Sequence, residues 1–456
     1  MNYISTRNKK LNIDFKSIFL RGLAPDGGLF LPKKIKKYNQ EDLKKLSKLN
    51  YIDLASEIIT NFCQPNLNKK QIKNILDKAY SNFNTSEVVE IKKIYDTNLL
   101  ELYHGPTLAF KDIALQVIGL MYEELGLNSN EINIIVATSG DTGSAAIAAL
   151  EDKKNINLFV LHPHEKISNI QRKIMTTRNS KNVFNMAVKG NFDDCQKIVK
   201  QMFSDEKFRE KINMSGVNSI NWARIICQIV YYFYAYFKFS SRLNFSVPTG
   251  NFGDVYAGYV AKKMGLPINK LIVATNNNDI LCRVINTGEY RPHKVKSSLS
   301  PSMDIQVASN FERLLFDIYK EQDQKVSSSM SKLIDEGFFK IDNEELKFIK
   351  KNFAAVTIND TETLRIIKDF YVKHSFVLDP HTATAVGAAH KIKNDSKTVV
   401  LGTAHPYKFL DTIKLAIEKN LEPPKQLGNL KDKVEKFDII DSNLESIKEY
   451  ILKKIR

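Results

Sequence analysis

Residues 99–126 read LLELYHGPTLAFKDIALQVIGLMYEELG, and a strand, a turn and a helix can be read along them in order. LLELY (Leu99 to Tyr103) is an apolar run of strand length. From Phe110 onward Ile113, Ala114, Val117, Ile118, Met121 and Leu125 recur at helical spacing, with Gly126 where a helix would stop. HGPTLAFKD (His104 to Asp112) is therefore a strand-to-helix connection, and Lys111 falls in the first helical turn.

The same alternation extends outward. Further strand-length runs are INIIVAT (132–138), INLFVL (156–161), NFSVP (244–248), LIVAT (271–275) and TVVLGT (398–403). Their apolar residues are continuous, as expected of strands covered on both faces. Strands separated by helices predict an α/β fold with open, mostly parallel sheets. The first hundred residues carry mostly amphipathic helical pattern, broken by GLAPDGGLFLP (22–32). The stretch from Glu422 is Lys-rich, carries no motif and reads as a packed or peripheral helical tail. No internal repeat is visible.

With 456 residues, 43% of them hydrophobic and 26% charged, the chain can bury several cores without disulfides or a structural metal. The net charge of +16 invites a nucleic-acid reading. However, 55 of the 67 basic residues are Lys, scattered among Asp and Glu as in residues 33–48, and such lysines read as solvated faces. No nucleic-acid partner is expected. Cys63, Cys195, Cys227 and Cys282 have neither C-x-x-C nor zinc-ligand spacing, which predicts reduced thiols, no metal and a cytoplasmic setting. The start of the chain has no apolar targeting core. The greasiest stretch, IICQIVYYFYAYF (225–237), is too short to span a bilayer and contains Gln228, so a buried helix is expected and no membrane partner. The sequence is silent on oligomeric state.

Ligands of open α/β sheets gather at the carboxyl ends of the strands. Three loops there carry chemistry. PTGNFGD (248–254) opens a helix, and Gly250 and Gly253 let a ligand approach free N–H groups, a phosphate-binding arrangement. TSGDTG (138–143) sets hydroxyls, a carboxylate and N–H groups at a second helix start, where a substrate carboxylate could sit. Either loop, taken alone, also reads as a capped turn, the first capped by Asp254. Lys111, taken alone, reads equally as a lysine that snorkels. Together they fit pyridoxal phosphate chemistry, which needs a desolvated Schiff-base lysine, a phosphate cup and a carboxylate cup.

HGPTLAFKD, TSGDTG, SVPTGNFGD and LGTAHPYKF, in this order and spacing, resemble the threonine synthases. The likeness extends to YISTRN (3–8), GLAPDGGLFLP, NSINWAR (218–224), GLPINKLIVATNNND (265–279) and DPHTATAVGAA (379–389), nearly the whole chain. The resemblance implies a fold-type-II pyridoxal phosphate enzyme: two open, mostly parallel sheets covered by helices, plus a helical N-terminal region. The expected domains are residues 1–95, mostly helical; 96–111 with 240–430, the large cofactor-binding domain; 112–239, a small α/β domain; and 431–456, a tail.

The same resemblance implies conversion of O-phospho-L-homoserine and water to L-threonine and phosphate, the last step of threonine biosynthesis. By the matching motifs, Lys111 is the Schiff-base lysine, and Gly250, Asn251, Phe252, Gly253 and Asp254 form the cofactor phosphate cup. Thr403 faces the pyridine nitrogen, and Ser139, Asp141 and Thr142 hold the substrate carboxylate. A second anion site must take the substrate phosphate. Arg224, a planar fork at the start of an apolar helix, is the candidate, with Thr107 and Lys408 as contenders. Many fold-type-II relatives carry Asn where Asp141 stands, which sets that position apart. His104, His381 and His405 read as structural. The alternative is another fold-type-II lyase such as a serine/threonine dehydratase, against which YISTRN and GGLFLP speak.

Overall fold

In the computed structural model, which describes residues 1–85, 87–126, 131–392 and 396–455, the apolar runs form two separate sheets. The larger has the order Phe353–Thr357, Ile268–Thr275, Leu243–Pro248, Thr398–Gly402, Thr97–Glu101, Glu90–Ile94. All its neighbours are parallel except the last pair. The smaller runs Asp438–Asp441, Val183–Lys189, Ile156–Pro163, Ile132–Ala137, Met214–Ser215, parallel throughout. Helices cover both, as parallel connections require. This is the fold-type-II architecture expected.

The helix Trp222–Phe239 is the structural joint. Asn221 caps it, its side chain accepting from the Ala223 N–H at 3.0 Å, and every residue from Trp222 to Ala235 is buried. It packs on Gly253–Lys263, Lys111–Gly126 and Tyr51–Cys63, so one apolar core runs through segments that the sequence reading had divided. Among the described residues no helix is long and apolar enough to cross a membrane.

Two expectations change. The N-terminal region has helices, each started by an Asn or Asp cap at Asp14, Asn39, Asn50 or Asn68, but it also holds an antiparallel sheet of Asn8–Ile13, Tyr3–Ser5 and Phe30–Pro32. Two of those strands have three residues each, too few to show a period of two. The C-terminal segment is not a tail. Asp438–Asp441 pairs in parallel with Val183–Lys189, and the helix Leu444–Lys454 buries Ile447 and Ile451 completely against the smaller sheet. The strand lies at the edge of the sheet and is mostly exposed, so it shows no apolar run.

Candidate active site

Leu243–Pro248, Thr398–Gly402 and Thr97–Glu101 are neighbours in the larger sheet and run parallel, so their carboxyl ends open on one edge. Two of the connections there are zipped together. Phe110 N–H donates to Thr403 O at 2.9 Å, His405 N–H donates to Leu108 O at 3.0 Å, and Ala109 bridges to Ala404. These contacts fix Thr403 beside the first turn of the Lys111 helix. Thr403 N–H in turn donates to Thr382 Oγ1 at 3.2 Å.

Lys111 is the first residue of its helix and is buried. Its Nζ lies 3.2 Å from Oδ2 of Asp141, which is the first residue of a helix in the smaller sheet's layer. That contact crosses from one sheet's loops to the other's. Asp141 Oδ2 also accepts from Ser302 Oγ at 3.1 Å. Its Oδ1 accepts from Gln171 Nε2 at 3.0 Å and lies 2.6 Å from Lys408 Nζ. Burial pulls the Lys111 amine below the ordinary lysine value; Asp141 opposes the fall, and the charges of Lys408 and Arg224 add to it. Burial alone would raise the Asp141 carboxyl, but Lys111, Lys408 and His381 outweigh it and hold it well below the usual carboxylate range.

The Gly250–Asp254 loop reverses at Phe252, whose φ is +63°, and opens the helix Gly253–Lys263 with no side-chain cap. Its first N–H groups therefore face outward at the positive end of the helix dipole. A Cβ at Gly250 would stand 2.8 Å from Ser302 O, so only glycine fits there. Asp254 does not cap the helix. Its Oδ1 accepts from Tyr231 Oη at 2.5 Å and Tyr232 Oη at 2.8 Å, and burial pushes its carboxyl up to about 6. Arg224 stands on the same face of the Trp222–Phe239 helix as Tyr231 and is buried, and among the described residues its Nε has no hydrogen-bond partner. Its one recorded bond is from Nη1 to Val217 O at 3.5 Å, and burial brings the guanidinium down to about 10.

These residues fit pyridoxal phosphate. They provide a buried lysine with a lowered proton affinity, an uncapped helix start cleared by glycine, and a buried guanidinium with a donor to spare. Ser139 and Thr142 stand half-buried at the second helix start, where Thr138 Oγ1 accepts from the N–H groups of Gly140 and Gly143, both at 2.9 Å. Thr107 is not brought to this opening: its hydroxyl donates to Asp112 Oδ1 at 2.6 Å and its N–H to Oδ2 at 2.8 Å. The sequence reading missed Gln171 and Ser302, which meet Asp141 from distant segments and belong to no motif. One ligand atom from each of Glu90, Glu101 and His104 also comes within 4.8 Å of the others, but Lys92 Nζ already lies 2.9 Å from Glu101.

Residues 99–331 match the family described as pyridoxal-phosphate dependent enzyme, and fold and site together define that class; pyridoxal phosphate is the cofactor. Residues 2–80 match the threonine synthase N terminus and residues 382–451 the threonine synthase C-terminal family. A threonine synthase of Pseudomonas aeruginosa is 39% identical over 99% of this chain and 98% of its own length. The crystal structure of pyridoxal-phosphate-bound threonine synthase from Brucella melitensis superposes with a TM-score of 0.95 at 40% identity over both full chains. That of the yeast threonine synthase superposes with a TM-score of 0.92 at 39% identity, covering 100% of this chain and 98% of the other. The chain belongs to the threonine synthase family.

Proposed function

We propose that this chain converts O-phospho-L-homoserine and water to L-threonine and phosphate, with Lys111 as the catalytic base. The observation that carries the reading is the buried Lys111 amine, 3.2 Å from Asp141 Oδ2 and within electrostatic reach of Arg224. Pyridoxal phosphate, when bound, supplies the electron sink that acidifies the substrate's Cα and Cβ protons. The backbone N–H groups of Gly250, Asn251, Phe252, Gly253 and Asp254 would hold its phosphate, and the Thr403 hydroxyl would serve its ring nitrogen. A hydroxyl there does not keep that nitrogen protonated as a carboxylate would.

Lys111 takes the proton from Cα and is the group placed to return one. Arg224 grips the substrate phosphate through its planar fork, balancing charge as the phosphate leaves Cγ before water adds at Cβ. Ser139, Thr142 and the N–H of Asp141 hold the substrate carboxylate. The Asp141 side chain is committed to two lysines and contributes orientation rather than a direct contact. The division into cofactor-binding and smaller domains, joined by the Trp222–Phe239 helix, is part of this reading. So is a cytoplasmic setting, supported by four free cysteines.

The test is Lys111→Ala, assayed for phosphate release from phosphohomoserine. It removes the base and the cofactor's attachment together, so turnover should fall at least about 10³-fold with the fold retained. A variant that keeps a tenth of the parent rate would sink the assignment.

A further inference from the structure

The reaction uses Lys111 and leaves a second buried lysine without a part. Lys408 lies on the turn Pro406–Phe409 and is fully buried. Its Nζ sits 2.6 Å from Asp141 Oδ1 and donates to Thr107 O at 2.9 Å. Lys111 holds the opposite oxygen of the same carboxylate at 3.2 Å. One buried carboxylate thus serves two amines. If both were ammonium, a net positive charge would remain in a low-dielectric site that already contains Arg224. That excess is relieved when one amine gives up its proton. Lys408 has the shorter contact and a backbone carbonyl besides, so Lys111 is the amine that yields.

We propose that Lys408 is a positioning residue whose ammonium commits the charge of Asp141 to itself, so that Asp141 can orient the Lys111 amine without holding it protonated. The inference rests on Lys111 being the base. Without Lys408, the Asp141 carboxylate would pair with Lys111 alone, and a buried lysine paired with a carboxylate keeps its proton. The charged groups acting on Lys111 come from several elements. Asp141 starts the helix Asp141–Leu150, Lys408 lies on its turn, and Arg224 stands on the Trp222–Phe239 helix. Asp254 on the helix Gly253–Lys263 also feels Lys111 but is held by two tyrosine hydroxyls. His381, on the helix Pro380–Lys391, acts on Asp141. Lys408 and Asp141 are the members whose removal moves Lys111 in opposite directions.

The experiment uses the holoenzyme and the variants Lys408→Met, Asp141→Asn and the double variant, each measured for kcat against pH with phosphohomoserine. The visible absorption of the bound cofactor is titrated against pH without substrate as a second readout. Lys408→Met should move the acid limb of kcat toward higher pH by about one unit, a tenfold loss on that limb, and the absorption titration should move with it. Asp141→Asn should move both toward lower pH, and the double variant should return both to near the parent position. If Lys408→Met lowers the rate equally at every pH, or lowers only the melting temperature, Lys408 is a packing residue and the proposal fails. Should Lys408→Met not fold, Asp141→Asn and the charge-balanced double variant decide: both limbs unmoved also overturns it. Failure of the parent function would appear instead as an active Lys111→Ala variant, which none of these shifts can imitate.

Discussion

Replacing Arg224 with Met should make the protein more stable and nearly inactive. A guanidinium buried beside Tyr231 and Asp254, with no partner at Nε, has lost water and gained little. Burial brings it down to about 10, and the fall from the ordinary arginine value corresponds to about 3 kcal/mol of penalty on the charged form. The group is a base whose folded value lies below its unfolded one. The penalty is therefore fully present at neutral pH and fades only as pH rises above about 10 toward the ordinary arginine value. Met keeps the stem's packing and forfeits one long bond to Val217 O. A net gain of about 1–3 kcal/mol is expected, a rise of a few degrees in melting temperature with cofactor held saturating. Turnover of phosphohomoserine should fall at least about hundredfold, because the substrate phosphate loses its fork. Arg224→Lys should lie between the two in activity, since a point charge cannot replace a planar pair of donors. A structural arginine predicts the reverse, because breaking a buried ion pair costs about 3–5 kcal/mol. A lower melting temperature with turnover kept would therefore refute the argument.

Asp254→Asn probes the neighbouring carboxyl. Its folded value of about 6 lies above the unfolded 3.8, so the ionised form costs stability above pH 6 and that cost vanishes as pH falls toward 4. Relative to the parent, the variant should therefore be most favoured above pH 6 and lose about half of that advantage by pH 5 and nearly all of it as pH falls toward 4 in thermal melts; a pH-independent difference would contradict this. Gly250→Ala places a Cβ 2.8 Å from Ser302 O and 3.2 Å from Met303 Cα, both backbone atoms, so the cup must open. Its cofactor dissociation constant, followed by fluorescence titration, should rise at least about tenfold. Ile451→Ala empties a fully buried position under the smaller sheet and should cost about 2–5 kcal/mol in chemical denaturation. A loss below about 0.5 kcal/mol would mean that the C-terminal helix is not packed as described.

The strands legible in the sequence are those covered on both faces. INLFVL and LIVAT lie within observed strands, and INIIVAT fills one but for its last residue, all of fully or mostly buried residues, where burial leaves an uninterrupted apolar run. The missed strands are edges or carry polar positions. Glu90–Ile94 reads EIKKI and has no fully buried residue, and Asp438–Asp441 reads DIID and is nearly all exposed. Val183–Lys189 is interrupted by Asn185, whose side chain bonds to Met175 O, a contact without a local signature. The site divides in the same way. Lys111, the Gly250–Asp254 loop and TSGDTG are local features, readable because glycine and helix starts announce them. The Asp141 cluster is assembled from Lys111, Gln171, Ser302 and Lys408, and only the folded chain brings such distant positions to one carboxylate.

The motifs at the start of the chain reach the cofactor cup through one helix start. Thr6 Oγ1 donates to Glu312 Oε1 at 2.5 Å, and Arg7 adds Nε and Nη2 to the two oxygens of the same carboxylate at 2.9 and 2.8 Å. The next residue, Arg313, is fully buried. It donates from Nε to Phe30 O at 3.0 Å, from Nη2 to Ile220 O at 2.6 Å, and from Nη1 to Asn310 Oδ1. Asn310 completes the chain, its Nδ2 donating to Asn251 O at 3.0 Å and to Ser219 O at 3.2 Å. The N-terminal sheet, the segment leading to Arg224 and the cup loop thus all hang on residues 310–313. A buried guanidinium is tolerable only when its donors are satisfied, and here backbone carbonyls from two of those segments satisfy it. Displacing either of those two segments would orphan a charged donor at a cost of about 1.5–3 kcal/mol per bond, and displacing the cup loop would free the neutral Asn310 amide. The N-terminal sheet therefore fixes where the cup loop and the Arg224 helix begin relative to each other, which is why YISTRN and GGLFLP, far from the site in sequence, are part of what holds it in register.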